Sequence, residues 1–133
     1  MRMWHKDLIN VLPREQLVAQ WRELSAIAGN LLTKGTSNHI LVNWVTDYPF
    51  DHFVTYAKAV RTEMTKRGYR TMDSVWQKIL SVCPNYVTVP YNKLFSDYMN
   101  NEYATICYYN LKEKYNCGGI RKDDFTKIEK VYN

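Results

Sequence analysis

The spacing of apolar residues along the chain predicts a mostly helical protein. A first helix is expected to begin after Leu12-Pro13 and to end at Gly29-Asn30. Its apolar residues recur at helical spacing and form one stripe: Leu17, Val18, Trp21, Leu24 and Ala28. A second stripe predicts a helix over residues 49–67 that Gly68 ends; it consists of Phe50, Phe53, Val54, Ala57, Val60 and Met64.

The remaining pattern predicts three further helical segments. A short helix begins at Asp73 or Ser74, and a helical pattern that starts at Asn92 breaks at Asn100-Asn101 and resumes as far as Cys117. A last short helix covers residues 124–131. The segment 39–45 is apolar and β-branched, so either a short strand or a buried helical turn fits it, with Asn43 as a buried, hydrogen-bonded amide. Without any repeat or linker, the chain is expected to be a single all-α domain over residues 1–133.

Charge and aromatic content indicate an anionic partner. The chain of 133 residues has a net charge of +5, and its aromatic side chains comprise 11 Tyr, 4 Trp and 4 Phe. A basic surface with interspersed aromatic rings favours nucleic acid over a membrane, and no apolar run approaches the roughly 20 residues of a membrane span.

The cysteines and histidines indicate no metal centre. Cys83, Cys107 and Cys117 are odd in number, and no signal peptide precedes them, so we expect reduced thiols in a cytoplasmic protein. We also expect the protein to be a monomer. A zinc site from His39, His52 and the cysteines lacks the usual ligand spacing, and we expect neither metal nor cofactor.

The second helix carries two further features with open interpretations. His52 and Tyr56 lie one turn apart, as proton carriers or as a structural hydrogen-bonded pair. The basic residues at its carboxyl end either complement the helix dipole or follow a phosphate backbone; they are Lys58, Arg61, Lys66, Arg67 and Arg70.

The amino terminus is the most informative stretch. Its sequence, Met1-Arg2-Met3-Trp4-His5, is aromatic and basic and runs into apolar residues, so we expect it to be packed rather than frayed. An α-amine has a reference pKa of about 7.7–8.0, against about 10.4 for lysine, and is partly uncharged and nucleophilic near neutrality. Initiator methionine is usually removed only before a small residue, and Arg2 is large, so Met1 is expected to be retained.

Residues 1–24 resemble the amino terminus of the pyrimidine-dimer DNA glycosylases, also called phage-type endonuclease V. The resemblance rests on Met1-Arg2, Leu17, Ala19 and the block Trp21-Arg22-Glu23-Leu24, with a weaker match from Val45-Thr46 to Lys66-Arg67-Gly68-Tyr69. It implies an all-α protein that cuts double-stranded DNA at a damaged nucleotide through an imine between the terminal amine and C1′.

The resemblance also implies roles for particular residues. Met1 would be the nucleophile and Glu23 the catalytic carboxylate. We expect the amine within about one side-chain length of that carboxylate, in a groove lined by Arg2 and Arg22; a separation above about 10 Å would put the two groups out of reach even through one water. Arg2 and Arg22 match arginines that hold phosphates in the family. His39 and His52 are two further predicted DNA-binding residues, which the resemblance itself does not supply.

Because of two departures from the family pattern, the sequence does not predict which DNA lesion is the substrate. Ala26 stands where the phage-type enzyme has a further DNA-binding arginine, and the end of the chain, Lys130-Val131-Tyr132-Asn133, lacks its aromatic run. A pyrimidine dimer, another lesion or an abasic site alone would each fit. The alternative function is a non-catalytic helical module that binds nucleic acid or protein.

Overall fold

The computed structural model describes all 133 residues and contains helices but no strands, which confirms the all-α prediction. The five α-helices are α1 (Arg14–Lys34), α2 (Asp51–Lys66), α3 (Asp73–Leu80), α4 (Asn101–Asn116) and α5 (Lys122–Tyr132). Three short 3₁₀ helices lie between them, at Lys6–Val11, Asn43–Asp47 and Tyr91–Lys93.

The helices pack in two groups that the amino-terminal segment joins. Helix α1 packs against α2 and α3, and α4 packs against α5. The 3₁₀ helix Lys6–Val11 contacts both α2 and α5, so the first residues of the chain lie between the two groups. Thirty buried apolar residues form one continuous core. No helix combines the length and apolar composition that a membrane span requires.

Helix α1 extends one turn beyond its predicted end. Gly29 lies inside the helix, and the helix ends at Gly35, whose φ of 74° allows its N–H to bond to the Leu31 carbonyl. A Cβ on Gly29 would lie 3.1 Å from Nζ of Lys78, so this glycine reflects the approach of α3 rather than a helix end. The buried side chain of Leu31 maintains the helix past that point.

The segment 39–45 is neither a strand nor a fully buried turn. Residues 39–42 form a β-turn closed by the Val42 N–H to the His39 carbonyl (3.1 Å), and the 3₁₀ helix Asn43–Asp47 follows. Asn43 is exposed rather than buried, although its amide oxygen does accept hydrogen bonds from Ser37 and His39.

Residues 94–99 depart from the predicted helix and form successive turns. Phe95 is fully buried with a φ of 47°, a conformation that a bulky residue adopts only when packing requires it. Its ring packs against Trp44 and Tyr48. The predicted break at Asn100 is confirmed, because its side chain accepts the Tyr103 N–H and begins α4.

Candidate active site

The backbone of the amino-terminal segment is bonded to side chains of α1. The Arg2 N–H donates to Oε2 of Glu23 (3.4 Å). One turn earlier on α1, Gln20 donates from Nε2 to the Arg2 carbonyl (3.0 Å), and its Oε1 accepts the Trp4 N–H (2.8 Å). Gln20 is fully buried. Side chains of helix α1 thereby hydrogen-bond the backbone of residues 2 and 4 and hold the amino-terminal segment against the helix.

Two tyrosines hold the same segment from the opposite side. On α2, the Tyr56 hydroxyl donates to the Trp4 carbonyl (2.6 Å) and lies 2.9 Å from Oε1 of Gln20. On α4, the Tyr103 hydroxyl donates to the Met3 carbonyl. Burial raises the pKa of both Tyr56 and Tyr103 above that of an exposed tyrosine, so both hydroxyls keep their protons and remain donors.

These bonds limit how far the terminal amine can lie from Glu23. Across Met1 the two backbone nitrogens are at most roughly 3.7 Å apart, so the amine lies within about 7 Å of the Glu23 Oε2 that accepts from Arg2. The amine belongs to none of the ion pairs found within 4.0 Å. A separation of this size leaves room for a water or a substrate atom between amine and carboxylate. It is shorter than the distance of about 10 Å at which the two groups would be out of reach.

The two arginines lie in different environments. Arg2 is half-buried, and its guanidinium lies beside the Tyr103 hydroxyl and the Cys107 thiol. Burial raises the pKa of Cys107, and the Arg2 charge opposes part of that shift. Arg22 is exposed and pairs with no carboxylate, while Glu23 next to it is half-buried.

The structure places the two predicted DNA-binding histidines outside this hydrogen-bond network. His39 lies in the turn of residues 39–42, where its Nδ1 accepts the Leu41 N–H (3.3 Å). His52 lies in the first turn of α2, where its Nδ1 accepts the Phe95 N–H (3.0 Å) and burial lowers its pKa. The predicted hydrogen bond between His52 and Tyr56 is wrong, because each bonds to a different partner.

The basic residues on and just after α2 differ in how far they are paired within the fold. Arg67 bonds to Glu63 (2.7 Å) and to the carbonyls of Leu12 and Asn10, so it stabilises the fold. A hollow of about 440 Å³ lies on the outer face of the helix; it is lined by Lys58, Arg61, Thr62, Thr65 and Lys66. Arg61 is already paired with Asp73 (3.7 Å) and donates to the Thr71 hydroxyl (3.1 Å), whereas Lys58 and Lys66 form no ion pair. These two lysines and the threonine hydroxyls suit a phosphate group.

Sequence reasoning missed two residues of the site. The position of Gln20 could have indicated a buried hydrogen bond, because this polar residue lies within the buried stripe of α1 between Leu17 and Leu24. Tyr103 carries none, since nothing in its local pattern relates it to residue 3, one hundred positions earlier. No group of three or more His, Cys, Asp or Glu residues is placed to hold a metal ion.

Comparison with known proteins identifies the family. The family model described as pyrimidine dimer DNA glycosylase matches residues 1–77, which is more than half of the chain and includes all six predicted site residues: Met1, Arg2, Arg22, Glu23, His39 and His52. Neither the curated proteins nor the solved structures gave a significant match. The extent of the family match shows that this chain belongs to the pyrimidine dimer DNA glycosylase family.

Proposed function

We propose that this chain is a DNA repair glycosylase with abasic-site lyase activity, acting as a monomer on double-stranded DNA through the α-amine of Met1. The observation that carries the proposal is the Arg2 N–H to Glu23 hydrogen bond of 3.4 Å, which keeps the amine beside a half-buried carboxylate. Membership of the glycosylase family supports it further. The proposal takes Met1 as the first residue of the mature protein.

In the proposed reaction the uncharged amine attacks C1′ of the damaged nucleotide. A nitrogen–carbon bond forms, the glycosidic bond breaks, and the base leaves with the bonding electrons and gains a proton. The bond from C1′ to O4′ then opens to give an imine, with O4′ protonated. Removal of a C2′ proton expels the 3′ phosphate by β-elimination, and water hydrolyses the imine. In this mechanism Glu23 accepts and returns these protons.

The arginines and histidines take DNA-binding roles in this proposal. Exposed Arg22 and the basic hollow on α2 bind phosphates, and half-buried Arg2 directs positive charge at the phosphate nearest the opened sugar. His52 uses its Nδ1 to accept a backbone N–H, so its contact with DNA is made through Nε2. The same holds for His39.

The decisive experiment is borohydride reduction of the imine. The untagged chain is incubated with duplexes that contain an abasic site or a pyrimidine dimer, and the reduced adduct is mapped by peptide mass spectrometry. We expect attachment at residue 1. Acetylating the amine or extending the chain before Met1 abolishes trapping, while salt-sensitive duplex binding persists because the arginine contacts remain. An adduct on a lysine contradicts the mechanism.

A matched pair of variants tests the carboxylate. Glu23→Gln keeps the shape and the acceptor for the Arg2 N–H but removes the charge, and it should slow trapping by about 10²–10⁴-fold. Glu15→Gln makes the same change on an exposed residue in the first turn of α1 and should leave the rate unchanged. If Glu23→Gln and the extended chain both cut abasic DNA at the wild-type rate, the α-amine mechanism is wrong. If the wild type binds duplex DNA but neither traps nor cuts it, the chain is a binding module instead.

A further inference from the structure

We propose that the turn of residues 39–42 is an apolar wedge that inserts Ile40 and Leu41 into the base stack beside the lesion and exposes the sugar to the amine. This inference rests on the proposed function. Its structural basis is a pair of exposed aliphatic side chains at the tip of a braced turn, next to the aromatic residue that contacts the amino-terminal site.

The exposure of these side chains has no role in folding. Ile40 is 85% exposed, more than any other large hydrophobic residue of the chain, and its neighbour Leu41 is 47% exposed. Both occupy the central positions of a β-turn, where Gly, Pro, Asn, Asp and Ser normally occur. A single exposed aliphatic residue is common on protein surfaces, but two in succession at a turn tip indicate a surface that meets a partner.

Hydrogen bonds make the turn rigid enough to insert. Ser37 is fully buried, and its hydroxyl donates to the Asn43 side chain, whose oxygen also accepts the His39 N–H (3.3 Å). From α1, Asn30 donates to the Ser37 carbonyl (2.9 Å). Val42, immediately after the tip, is fully buried and anchors the turn in the core. The base of the turn is therefore fixed while its tip remains in solvent.

Trp44 connects the turn to the candidate active site. Its ring nitrogen donates to the Leu41 carbonyl (2.9 Å), and its ring meets the Tyr103 ring edge-on at 6.3 Å. Tyr103 in turn bonds to the Met3 carbonyl. Trp44 also stacks on Tyr98, with centroids 5.1 Å apart and an interplanar angle of 13°. This flat, partly exposed aromatic pair is a surface on which a displaced base can stack.

Charge identifies the partner as DNA. No carboxylate occurs from Leu24 to Thr46, and exposed cations lie at Arg22 and Lys34 on the same helix that braces the turn. The next residue, Asp47, accepts a hydrogen bond from the Tyr98 hydroxyl (2.9 Å). An apolar turn without a carboxylate of its own, on a chain with a net charge of +5, fits a base step between two phosphate backbones. Proteins that insert apolar side chains into a base step unstack it and kink the duplex, and an enzyme that reacts at C1′ requires such an opening.

The test compares trapping on duplex and single-stranded DNA. The double variant Ile40→Ser/Leu41→Ser removes the apolar tip, and Val87→Ser, 72% exposed in the loop before Tyr91, is the matched control. The double variant should trap duplex abasic DNA at least about tenfold more slowly, equivalent to about 1.4 kcal/mol. Single-stranded abasic DNA needs no unstacking, so its trapping should be unchanged. The control variant should match the wild type on both substrates.

A fluorescence readout separates this inference from the proposed chemistry. A 2-aminopurine beside the abasic site should brighten when the wild type or Val87→Ser binds the duplex, and should stay dark with the double variant. If the wild type traps neither substrate but still brightens the probe, the chemistry is wrong and the wedge stands. Equal duplex trapping and brightening by the double variant would overturn the wedge. If the double variant lost trapping equally on duplex and single-stranded DNA, the wedge would also be overturned. So would the finding that the wild type is a dimer and that the double variant is not, because Ile40 and Leu41 would then form a dimer interface.

Discussion

The hydrogen bonds of Gln20 give the most specific stability prediction. Gln20→Leu keeps the approximate size of the side chain and removes its polar group from the core. The Trp4 N–H, now bonded to Gln20 at 2.8 Å in a buried site, would lose its partner. The part-buried Arg2 carbonyl would lose a bond of 3.0 Å.

The expected magnitude follows from these two losses. A buried N–H left without a partner costs about 1–3 kcal/mol, and an ordinary hydrogen bond contributes about 0.5–1.5 kcal/mol, so the free energy of unfolding should fall by about 2–4 kcal/mol. With a urea slope of about 2 kcal/mol/M, the middle of the usual range for small proteins, the unfolding midpoint should fall by about 1–2 M. Tryptophan fluorescence measures this directly, since Trp4 and Trp21 lie in the affected region.

Gln16→Leu is the matched control on the same helix. The Oε1 of Gln16 is buried and has no hydrogen-bond partner, so replacing it should leave stability unchanged or raise it. Gln20→Leu should also slow trapping on abasic DNA, because the Arg2 backbone would no longer be fixed beside Glu23. If the two variants unfold within about 0.5 kcal/mol of each other, the positioning role of Gln20 is wrong, since that difference is smaller than one net hydrogen bond.

Three further predictions follow from other contacts. Arg22→Gln should make the slope of log affinity against log salt shallower by about one unit on duplex DNA; an unchanged slope would show that Arg22 contacts no phosphate. Gly29→Ala should raise the free energy of unfolding by about 0.5–1 kcal/mol, because alanine loses less conformational freedom than glycine in a helix. The new Cβ would meet only the flexible Lys78 side chain, so a lower melting temperature would show that Lys78 cannot move away. Burial lowers the pKa of His5 and opposes its protonation in the fold, so stability should fall as the pH drops below the unfolded value of about 6.5. His5→Asn, which keeps an acceptor for the Asp7 N–H, should reduce this fall in urea titrations between about pH 7.5 and 5.5, and an undiminished fall would assign it to another group.

The sequence by itself determined the helical class and the elements with regular apolar spacing. The stripe from Phe53 to Met64 predicted α2 nearly to its ends, because a helix buries one face at a fixed period and Gly68, with a φ of 81°, cannot continue it. The block Trp21-Arg22-Glu23-Leu24 directed attention to Met1 and Glu23 through resemblance to a family, and the family match includes both residues. Periodicity alone would not have indicated either of them.

The tertiary structure decided where the elements end and what surrounds the amino terminus. Gly29 did not end α1, because the burial of Leu31 outweighed the local preference of a glycine, and Phe95 adopted a strained conformation to fill the space between Trp44 and Tyr48. The network around residues 2–4 joins positions 16, 52 and 100 residues apart in the chain. Apolar spacing reports only which face of a helix is buried. It does not report which polar group meets which across the core, so Gln20, Tyr56 and Tyr103 acquired their partners only when the helices packed together.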